Sequence, residues 1–274
     1  MPPDSPAAVA ARSRAQFGRQ ARHYAASPEF AQGLSLEAIV RLAAPRATDE
    51  CLDVATGAGH VALALAPHAR SVVAADITPE MLAEAEALAA GRGIANVTTC
   101  LAPAERLPFP DASFDIVTAR TAPHHFADVP AFVAEAARVL RPGGRFVVVD
   151  NLAPPDPEAD RFLNEIERLR DASHVRSYNE AEWRAFLLDA GLALTYVESG
   201  LRENAWDMDF ASWAARAGCP AEVTAELRRR LLDASAGVRD WLGVRETGER
   251  LAFGIPKIVI AARKPASEAG SRDP

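Results

Sequence analysis

The chain has 274 residues, a formal net charge of −7 and an apolar fraction of 49%. This length and apolar content allow one large α/β domain, or one domain with a sizeable insertion, and they exclude a disordered or fibrous chain. The net negative charge argues against binding to a nucleic-acid backbone, which needs a clustered excess of lysine and arginine. We therefore expect a globular protein with no nucleic-acid partner.

Three cysteines, Cys51, Cys100 and Cys219, are widely spaced and form no C-x-x-C motif. Their number and spacing favour neither a disulfide framework nor a zinc site, so we expect no bound metal and a cytoplasmic location. The N-terminal segment lacks the apolar core of a signal peptide, and no apolar stretch approaches the ~20 residues that span a bilayer. We predict no membrane partner.

Segments typical of strands alternate with segments typical of helices along the chain. Strands are predicted at residues 51–55, 71–76, 96–102, 114–120, 144–150, 192–198 and 256–262. Helices are predicted between the first five strands, at about 60–66, 79–91 and 129–140. This alternation is typical of βαβ crossovers in a mainly parallel sheet. Thr78 precedes Pro79 and Glu80, which indicates that Thr78 caps the helix that follows.

After Asp150 the pattern loosens. A helix is predicted at 157–171 and a second helical block at about 207–242, before the last strand. Neither block contains enough strands and apolar core to fold alone, so we interpret both as additions that form a cap over the substrate side. The first dozen residues and the tail, 266–274, are predicted to be disordered.

A glycine-containing turn follows the first predicted strand. Gly57–Ala62 reads GAGHVA and fits G-x-G-x-x-A, in which the glycines permit a tight turn and close approach to a ligand. Asp76 follows Gly59 by 17 residues, at the end of the second strand, where a carboxylate can accept protons from both ribose hydroxyls. Together these features favour an adenosine-containing ligand.

Asp53 narrows the choice of ligand. It lies inside the first strand, where a buried carboxylate is costly unless it serves a partner. This carboxylate would repel the pyrophosphate of a dinucleotide, whereas it would attract the ammonium of an amino-acid group. The pattern points to S-adenosylmethionine, which carries an adenosine and an amino acid but no phosphate.

Four segments occur in an order typical of one family: LDVATGAGHVALALA, VVAADITPEML, AERLPFPDASFDIVTAR and RVLRPGGRFVVVD. Over residues 14–152 the chain resembles the class I S-adenosylmethionine-dependent methyltransferases. Within them it resembles the ubiquinone/menaquinone-biosynthesis C-methyltransferases and related uncharacterised bacterial methyltransferases. The resemblance implies an α/β Rossmann-like fold, with a mostly parallel seven-stranded sheet, helices on both faces and a helical cap insertion. It also implies S-adenosyl-L-methionine as the cofactor.

The resemblance further implies a set of cofactor-binding residues. They are Tyr24, Asp53, Ala55, Thr56, Gly57, Gly59, Asp76, Ile77, Met81, Ala104, Glu105 and Arg120. In relatives the turn contacts the methionine and ribose groups, while Ile77 and Met81 would flank the adenine. Two positions depart from the family pattern, since Ala55 replaces the first motif glycine and Pro103 replaces an aspartate. We expect both departures to affect cofactor affinity.

The N-terminal segment resembles the opening helix of the family. Phe17, Ala21 and Tyr24 lie on one face at helical spacing, before Ser27 and Pro28 end the helix. In relatives this helix lies over the cofactor. We therefore divide the chain into an N-terminal helical lid, a cofactor-binding core, a region of cap helices and final strands, and a disordered tail. The boundaries are 1–34, 35–152, 153–265 and 266–274.

Two histidines are the candidate catalytic residues. Methyl transfer from a sulfonium is an in-line displacement, and a base within hydrogen-bond reach accelerates transfer to a hydroxyl or an acidic carbon by roughly 10² to 10⁴ fold. His124 and His125 follow the fourth strand, at the edge where open α/β sheets bind ligands. Adjacent loop residues usually point apart, so we expect at most one to face the pocket. A structural role for both is the alternative.

The substrate-binding residues are predicted less specifically. His174, Arg176 and Tyr178 lie in a polar stretch that we place on or under the cap, with a plain polar loop as the alternative. Three tryptophans either form an aromatic pocket or pack the core: Trp206, Trp213 and Trp241.

Three functions remain open. The first is a methyltransferase that acts on an oxygen or carbon of a small molecule. The second is a non-catalytic S-adenosylmethionine-binding regulatory module, which Ala55 and Pro103 favour. The third is a nicotinamide-dependent oxidoreductase, which Asp53 and the downstream motifs disfavour. The sequence is compatible with a monomer or a homodimer.

Overall fold

The computed structural model of the protein describes residues 5–203 and 208–266. The strands in this part of the chain are β1 (Glu50–Val54), β2 (Ser71–Asp76), β3 (Val97–Leu101), β4 (Phe114–Arg120), β5 (Leu140–Asn151), β6 (Ala193–Leu201), β7 (Met208–Asp209), β8 (Arg245–Thr247), β9 (Arg250–Phe253) and β10 (Lys257–Arg263). Seven of them form the main sheet in the order β3-β2-β1-β4-β5-β10-β6. β1 to β5 are parallel, and β10 is antiparallel to both of its neighbours.

The α-helices in the same described residues are α1 (Pro6–Ala26), α2 (Pro28–Ala31), α3 (Leu34–Ala43), α4 (His60–Leu65), α5 (Pro79–Gly91), α6 (Val129–Val139), α7 (Pro157–Arg170), α8 (Glu180–Asp189), α9 (Phe210–Arg216), α10 (Ala221–Asp233) and α11 (Ala236–Leu242). Every strand and helix predicted between residues 51 and 150 is present. None of the described helices is long and apolar enough to cross a membrane.

The main sheet is covered by helices on both faces. Alternate residues of each strand point to opposite sides, so Leu52 packs with α6 and α8 while its neighbour Cys51 packs with α3 and α4. The five inner strands, β2, β1, β4, β5 and β10, bury apolar residues on both sides, which explains their apolar runs. The predicted Rossmann-like fold with a mostly parallel seven-stranded sheet is confirmed.

The N-terminus differs from the prediction of a disordered first dozen residues. Helix α1 begins at Pro6, and the Ser5 side chain accepts a hydrogen bond from the backbone N–H of Ala8 at 3.3 Å. This start follows a known pattern, in which a capping serine precedes a first-turn proline and an alanine-rich run. The prediction of disorder rested on composition and did not take this pattern into account. Helix α3 was not predicted, and it packs against β4 and β5.

The cap has a small core and a small sheet of its own. Helices α7, α9, α10 and α11 surround a cluster of buried apolar residues that includes Trp213 and Phe253. Beside it lies a three-stranded sheet in the order β7-β9-β8, which the sequence analysis did not predict. These strands have two to four residues, too few to show an alternating pattern. Trp213 and Trp241 pack in this region as core residues, and Trp206 lies outside the described residues.

Candidate active site

A cavity of about 120 Å³ lies at the carboxyl ends of β1, β2 and β4, with α1 above it. The sequence-predicted residues that line it are Tyr24, Asp53, Ala55, Thr56, Gly57, Asp76, Ile77, Met81, Arg120 and His125. They come from four separate segments of the chain. We call this space the first cavity.

The turn between β1 and α4 forms one wall of the first cavity. Ala55, Gly57 and Gly59 have φ angles of 53°, 54° and 85°, in the left-handed region that favours glycine. Ala55 therefore adopts a conformation that costs an L-residue about 1 kcal/mol. A Cβ atom on Gly59 would lie 2.8 Å from the Cβ of Ala85, so this glycine, which does not line the cavity, allows α4 to pack closely on α5.

Asp53 is 1% exposed at the end of β1. Its carboxylate accepts hydrogen bonds from the hydroxyls of Thr56 at 2.6 Å and Thr118 at 2.7 Å. Burial raises the pKa of Asp53 to about 6, although the two hydroxyls and the nearby Arg120 oppose this rise. An ammonium bound beside this carboxylate would offset the cost of its burial.

Asp76 is fixed at the end of β2. One carboxylate oxygen accepts from the backbone N–H of Gly57 and the other from the N–H of Thr78, both at 2.9 Å. Burial raises the pKa of this carboxyl. Thr78 is the N-cap residue of α5, as predicted, although its side chain makes no capping hydrogen bond to the helix. The carboxylate retains acceptor capacity toward the first cavity.

A second cavity, of about 590 Å³, lies between the sheet edge and the cap. Residues of the cap and of β10 line it, among them Glu167, Arg170, Asp171 and Lys257. The Lys257 ammonium donates to Thr121 Oγ1 and Asn151 Oδ1, each at 3.2 Å, and burial lowers its pKa. Six residues line both cavities: Phe17, Tyr24, Phe30, Arg120, Thr121 and His125.

The two predicted catalytic histidines lie in a short 3₁₀ turn, Pro123–His125, after β4. Their ring centroids are 4.1 Å apart, and both rings line the second cavity. The prediction that at most one faces a cavity is wrong, because successive side chains of a 3₁₀ turn diverge by about 120° rather than pointing in opposite directions. Of the two, His125 alone also lines the first cavity.

Each histidine has its own acidic partner. His124 Nδ1 lies 2.5 Å from the Asp150 carboxylate at the end of β5. His125 Nδ1 lies 3.1 Å from Ser173 Oγ, and that hydroxyl in turn lies 2.6 Å from Asp171. Burial, followed by the neighbouring His124, lowers the pKa of His125 below its ordinary value, so this imidazole is neutral near pH 7.

Comparison with known proteins identifies the family. Residues 52–148 match the family described as a methyltransferase domain. The chain is 38% identical to the uncharacterised methyltransferase YcgJ of Bacillus subtilis over 252 residues, which is 90% of this chain and 97% of that protein. The chain belongs to the class I S-adenosylmethionine-dependent methyltransferases. S-adenosylmethionine is the cofactor of this methyltransferase.

Solved structures and a second relative support this assignment. The crystal structure of YcgJ matches with a TM-score of 0.79, covering 84% of this chain and 98% of that one. A putative methyltransferase from Bacillus halodurans matches at 36% identity with a TM-score of 0.80, covering 84% and 99% of the two chains. A demethylmenaquinone methyltransferase of Thermus thermophilus is 45% identical over 118 residues, which is 42% of this chain and 53% of that protein. The methyltransferase is thus related to the quinone-biosynthesis subgroup.

The first cavity fits the cofactor of this family. Two buried carboxylates, Asp53 and Asp76, lie at the ends of adjacent strands, and the Arg120 guanidinium lies near Asp53. Carboxylates, a guanidinium and an apolar wall that includes Met81 provide complementary groups for an ammonium, ribose hydroxyls, a carboxylate and an adenine.

Two of the predicted cofactor-binding residues, Ala104 and Glu105, lie elsewhere in the methyltransferase. Ala104 is buried in the core and does not line either cavity. Glu105 is not a lining residue either, and its carboxylate accepts from the backbone N–H of Ala127 at 2.9 Å. This hydrogen bond ties the loop after β3 to the loop before α6.

None of the three predicted substrate-binding residues lines the first or the second cavity. His174 is 3% exposed, and its Nε2 donates to Asn164 Oδ1 at 3.0 Å. Arg176 is paired with Asp160 at 3.0 Å and Glu182 at 2.9 Å, and it covers the Tyr178 ring. These two carboxylates balance the charge of Arg176. Because one lies in α7 and the other in α8, the ion pairs stabilise the loop between the two helices.

Several residues in or behind the walls of the two cavities were missed by the sequence analysis. His60, the first residue of α4, donates from Nε2 to the carbonyl of Tyr24 at 3.1 Å and so joins α1 to the glycine turn. Asp150 had a usable signal, since it ends an apolar strand as Asp53 does. Asp171 and Ser173 had only the weak signal of an aspartate and a serine after a helix. No cluster of metal-binding side chains occurs among residues 5–203 and 208–266.

Proposed function

We propose that the protein transfers a methyl group from S-adenosylmethionine to an oxygen or carbon of a small molecule. The observation that carries this proposal is the position of His125, which lies where the first cavity, whose lining fits the cofactor, meets the larger second cavity. Methyl donor and acceptor must meet in line, so a neutral base at this junction is placed for proton removal from the acceptor.

In this proposal three charged residues hold the polar groups of the cofactor. Asp76 accepts hydrogen bonds from the ribose hydroxyls, and Asp53 faces the methionyl ammonium. Arg120 faces the methionyl carboxylate, because its guanidinium lines both cavities and would repel an ammonium. Arg120 donates to Ser35 Oγ at 3.2 Å and to the Phe30 carbonyl, which fixes it against α2 and α3. Ile77 and Met81 provide the apolar wall for the adenine.

The chemistry requires little else from the protein. When bound, S-adenosylmethionine supplies an electrophilic methyl group whose carbon–sulfur bond breaks with its electron pair left on sulfur. His125 Nε2 takes the proton of the acceptor and becomes an imidazolium, while the electron pair of the acceptor oxygen or carbon forms the new bond to the methyl carbon. The apolar side chains of Phe17 and Tyr24 on α1 exclude water from the junction.

The second cavity supports a small acceptor. Its volume of about 590 Å³ lies in the range of small-molecule sites, and the cap covers it. A cytoplasmic enzyme, either a monomer or a homodimer, with no nucleic-acid or membrane partner, stays our prediction.

Calorimetric titration with S-adenosylmethionine and S-adenosylhomocysteine tests the cofactor assignment. Asp76→Ala should weaken binding by more than roughly tenfold, because each hydrogen bond from ribose to a charged group contributes about 1.5–3 kcal/mol. Asp111→Ala is the matched control, since it removes an exposed carboxylate that pairs with Arg138. Equal affinities of the Asp76→Ala and wild-type proteins would contradict the assignment.

Turnover separates the enzyme from a non-catalytic cofactor-binding module. Wild-type protein with small-molecule extract fractions should convert S-adenosylmethionine into S-adenosylhomocysteine. His125→Ala should bind the cofactor with nearly wild-type affinity yet lose roughly 10² fold or more of that turnover. If no fraction supports turnover although the cofactor binds, the regulatory module becomes the better explanation.

A further inference from the structure

A chain of three side chains connects the candidate base to a buried carboxylate. His125 Nδ1 lies 3.1 Å from Ser173 Oγ, and Ser173 Oγ lies 2.6 Å from Asp171 Oδ1. The backbone N–H of Ser173 donates to the same Asp171 oxygen at 2.8 Å, which fixes the serine and the aspartate in one tight turn after α7. Ser173 is 1% exposed and Asp171 is 6% exposed, so both partners of this hydrogen bond are buried.

The hydrogen-bond roles in this chain follow from the number of protons. Burial alone would raise the pKa of Asp171, but the hydrogen bonds from Ser173 and the nearby Arg170 oppose this rise and the pKa is lowered, so Asp171 is an ionised acceptor near pH 7. Two oxygens 2.6 Å apart need a proton between them, and the only one that Ser173 Oγ has must therefore point to Asp171. Toward the imidazole the hydroxyl oxygen is then an acceptor, and His125 Nδ1 must carry the ring proton.

This assignment determines the state of the other ring nitrogen. In a neutral imidazole with its proton on Nδ1, Nε2 has a free lone pair. Among the described residues Ser173 is the hydrogen-bond partner of the His125 ring, through its hydroxyl at Nδ1 and through its backbone. The Phe17 ring packs edge-on against the imidazole at 4.8 Å between centroids, which limits ring rotation.

We propose that Ser173 and Asp171 are positioning residues that hold His125 as the Nδ1–H tautomer, so that the Nε2 lone pair points toward a methyl acceptor with an O–H or acidic C–H group. The proposal rests on the methyltransferase function proposed above. Neither residue touches the reacting atoms, and each acts through His125. When Nε2 takes up the acceptor proton, the charge of Asp171 stabilises the resulting imidazolium through the serine hydroxyl.

The second histidine provides a comparison inside the same turn. His124 Nδ1 contacts the Asp150 carboxylate directly, with no hydroxyl between them. Its tautomer therefore does not depend on Ser173, although the backbone carbonyl of His124 accepts from the N–H groups of Val175 and Arg176 in the same loop. Removing the Ser173 hydroxyl should change His125 and leave His124 unaltered.

The tautomer can be measured without knowledge of the acceptor. The full-length protein, with its six histidines labelled with ¹⁵N in the ring, is studied by long-range proton–nitrogen correlation at about pH 7.5, where the neutral imidazole should predominate. The His125 resonances are identified as those missing from the spectrum of the His125→Gln variant. We expect wild-type His125 to be neutral with the proton on Nδ1. In Ser173→Ala the ratio of the Nδ1–H to the Nε2–H tautomer should fall by roughly tenfold, because a buried hydrogen bond to the ring is lost.

Ser177→Ala is the matched control, because the Ser177 hydroxyl is equally buried in the same loop and makes no hydrogen bond to the described residues. It should leave the His125 signals unchanged. Asp171→Asn is a second variant that keeps the shape of the relay and should shift the ratio in the same direction as Ser173→Ala. Wild-type His125 with its proton on Nε2, or an unchanged ratio in folded Ser173→Ala, would overturn the proposal. Cofactor titration of the same samples reports separately on the proposed function.

Discussion

Replacing Asp53 by asparagine should stabilise the cofactor-free protein at neutral pH. The carboxylate is 1% exposed, and its two hydrogen bonds to Thr56 and Thr118 do not fully offset the loss of water. Asparagine has the same shape and no charge. Its amide would donate to one threonine, and the Thr118 hydroxyl has the Leu52 carbonyl at 3.5 Å as an alternative acceptor.

The expected size of the effect follows from the pKa. Burial raises the pKa of Asp53 from 3.8 to about 6, which corresponds to about 3 kcal/mol at ~1.4 kcal/mol for each pH unit. Because the pKa is raised in the folded protein, the contribution of Asp53 to stability is most favourable below about pH 4 and is lost as the pH rises through about 6. The free energy of unfolding of Asp53→Asn should therefore exceed that of the wild type by about 3 kcal/mol near pH 7.5 and by about half of that near pH 5.

Urea unfolding at several pH values measures this difference. Glu249→Gln, which removes one exposed carboxylate in the turn between β8 and β9, is the control for overall charge. An Asp53→Asn protein that is no more stable than the wild type at pH 7.5, or equally stabilised at every pH, would refute the reasoning. The same variant should bind S-adenosylmethionine less tightly, since the ammonium loses its carboxylate.

Two further substitutions test the glycine turn by urea unfolding. Ala55→Gly should raise the free energy of unfolding by about 0.5–1 kcal/mol because φ at this position is 53°. Ala58→Gly, at a neighbouring position without positive φ, is the control and should lower the free energy of unfolding. If both variants were less stable than the wild type, the backbone at Ala55 would not be strained. Gly59→Ala should destabilise by about 2 kcal/mol or more, because φ is 85° and the new Cβ would lie 2.8 Å from that of Ala85. A neutral effect of Gly59→Ala would mean that α4 moves away from α5 without cost.

The first cavity could be predicted largely from the sequence because its main residues are close together in the sequence or end neighbouring strands. Asp53 and Gly57 lie four residues apart on one strand and the turn after it, and Asp76 ends the next strand of the same sheet. A parallel sheet brings the carboxyl ends of such strands to one edge without further information. The motif predicted a glycine where Ala55 stands, and the left-handed φ explains why the family has glycine there.

The second cavity could not be predicted in the same way because distant segments build it. Ser173 and His125 are 48 residues apart, and nothing in either segment indicates their contact. Arg176 was predicted as a substrate-binding residue from its place in a polar stretch on or under the cap, yet two neighbouring carboxylates pair with it. The cap strands are too short for a periodic signal, so the walls that they support were also missed.

The six residues that line both cavities form a common wall between the two spaces. A side chain such as Tyr24 cannot adjust to one occupant without changing the volume left for the other. If binding of the first ligand changes the affinity for the second ligand by some factor, binding of the second must change the affinity for the first by the same factor. A search for the acceptor by binding should accordingly be made on protein saturated with S-adenosylhomocysteine, since hits found on the empty protein would report the shape of a different pocket.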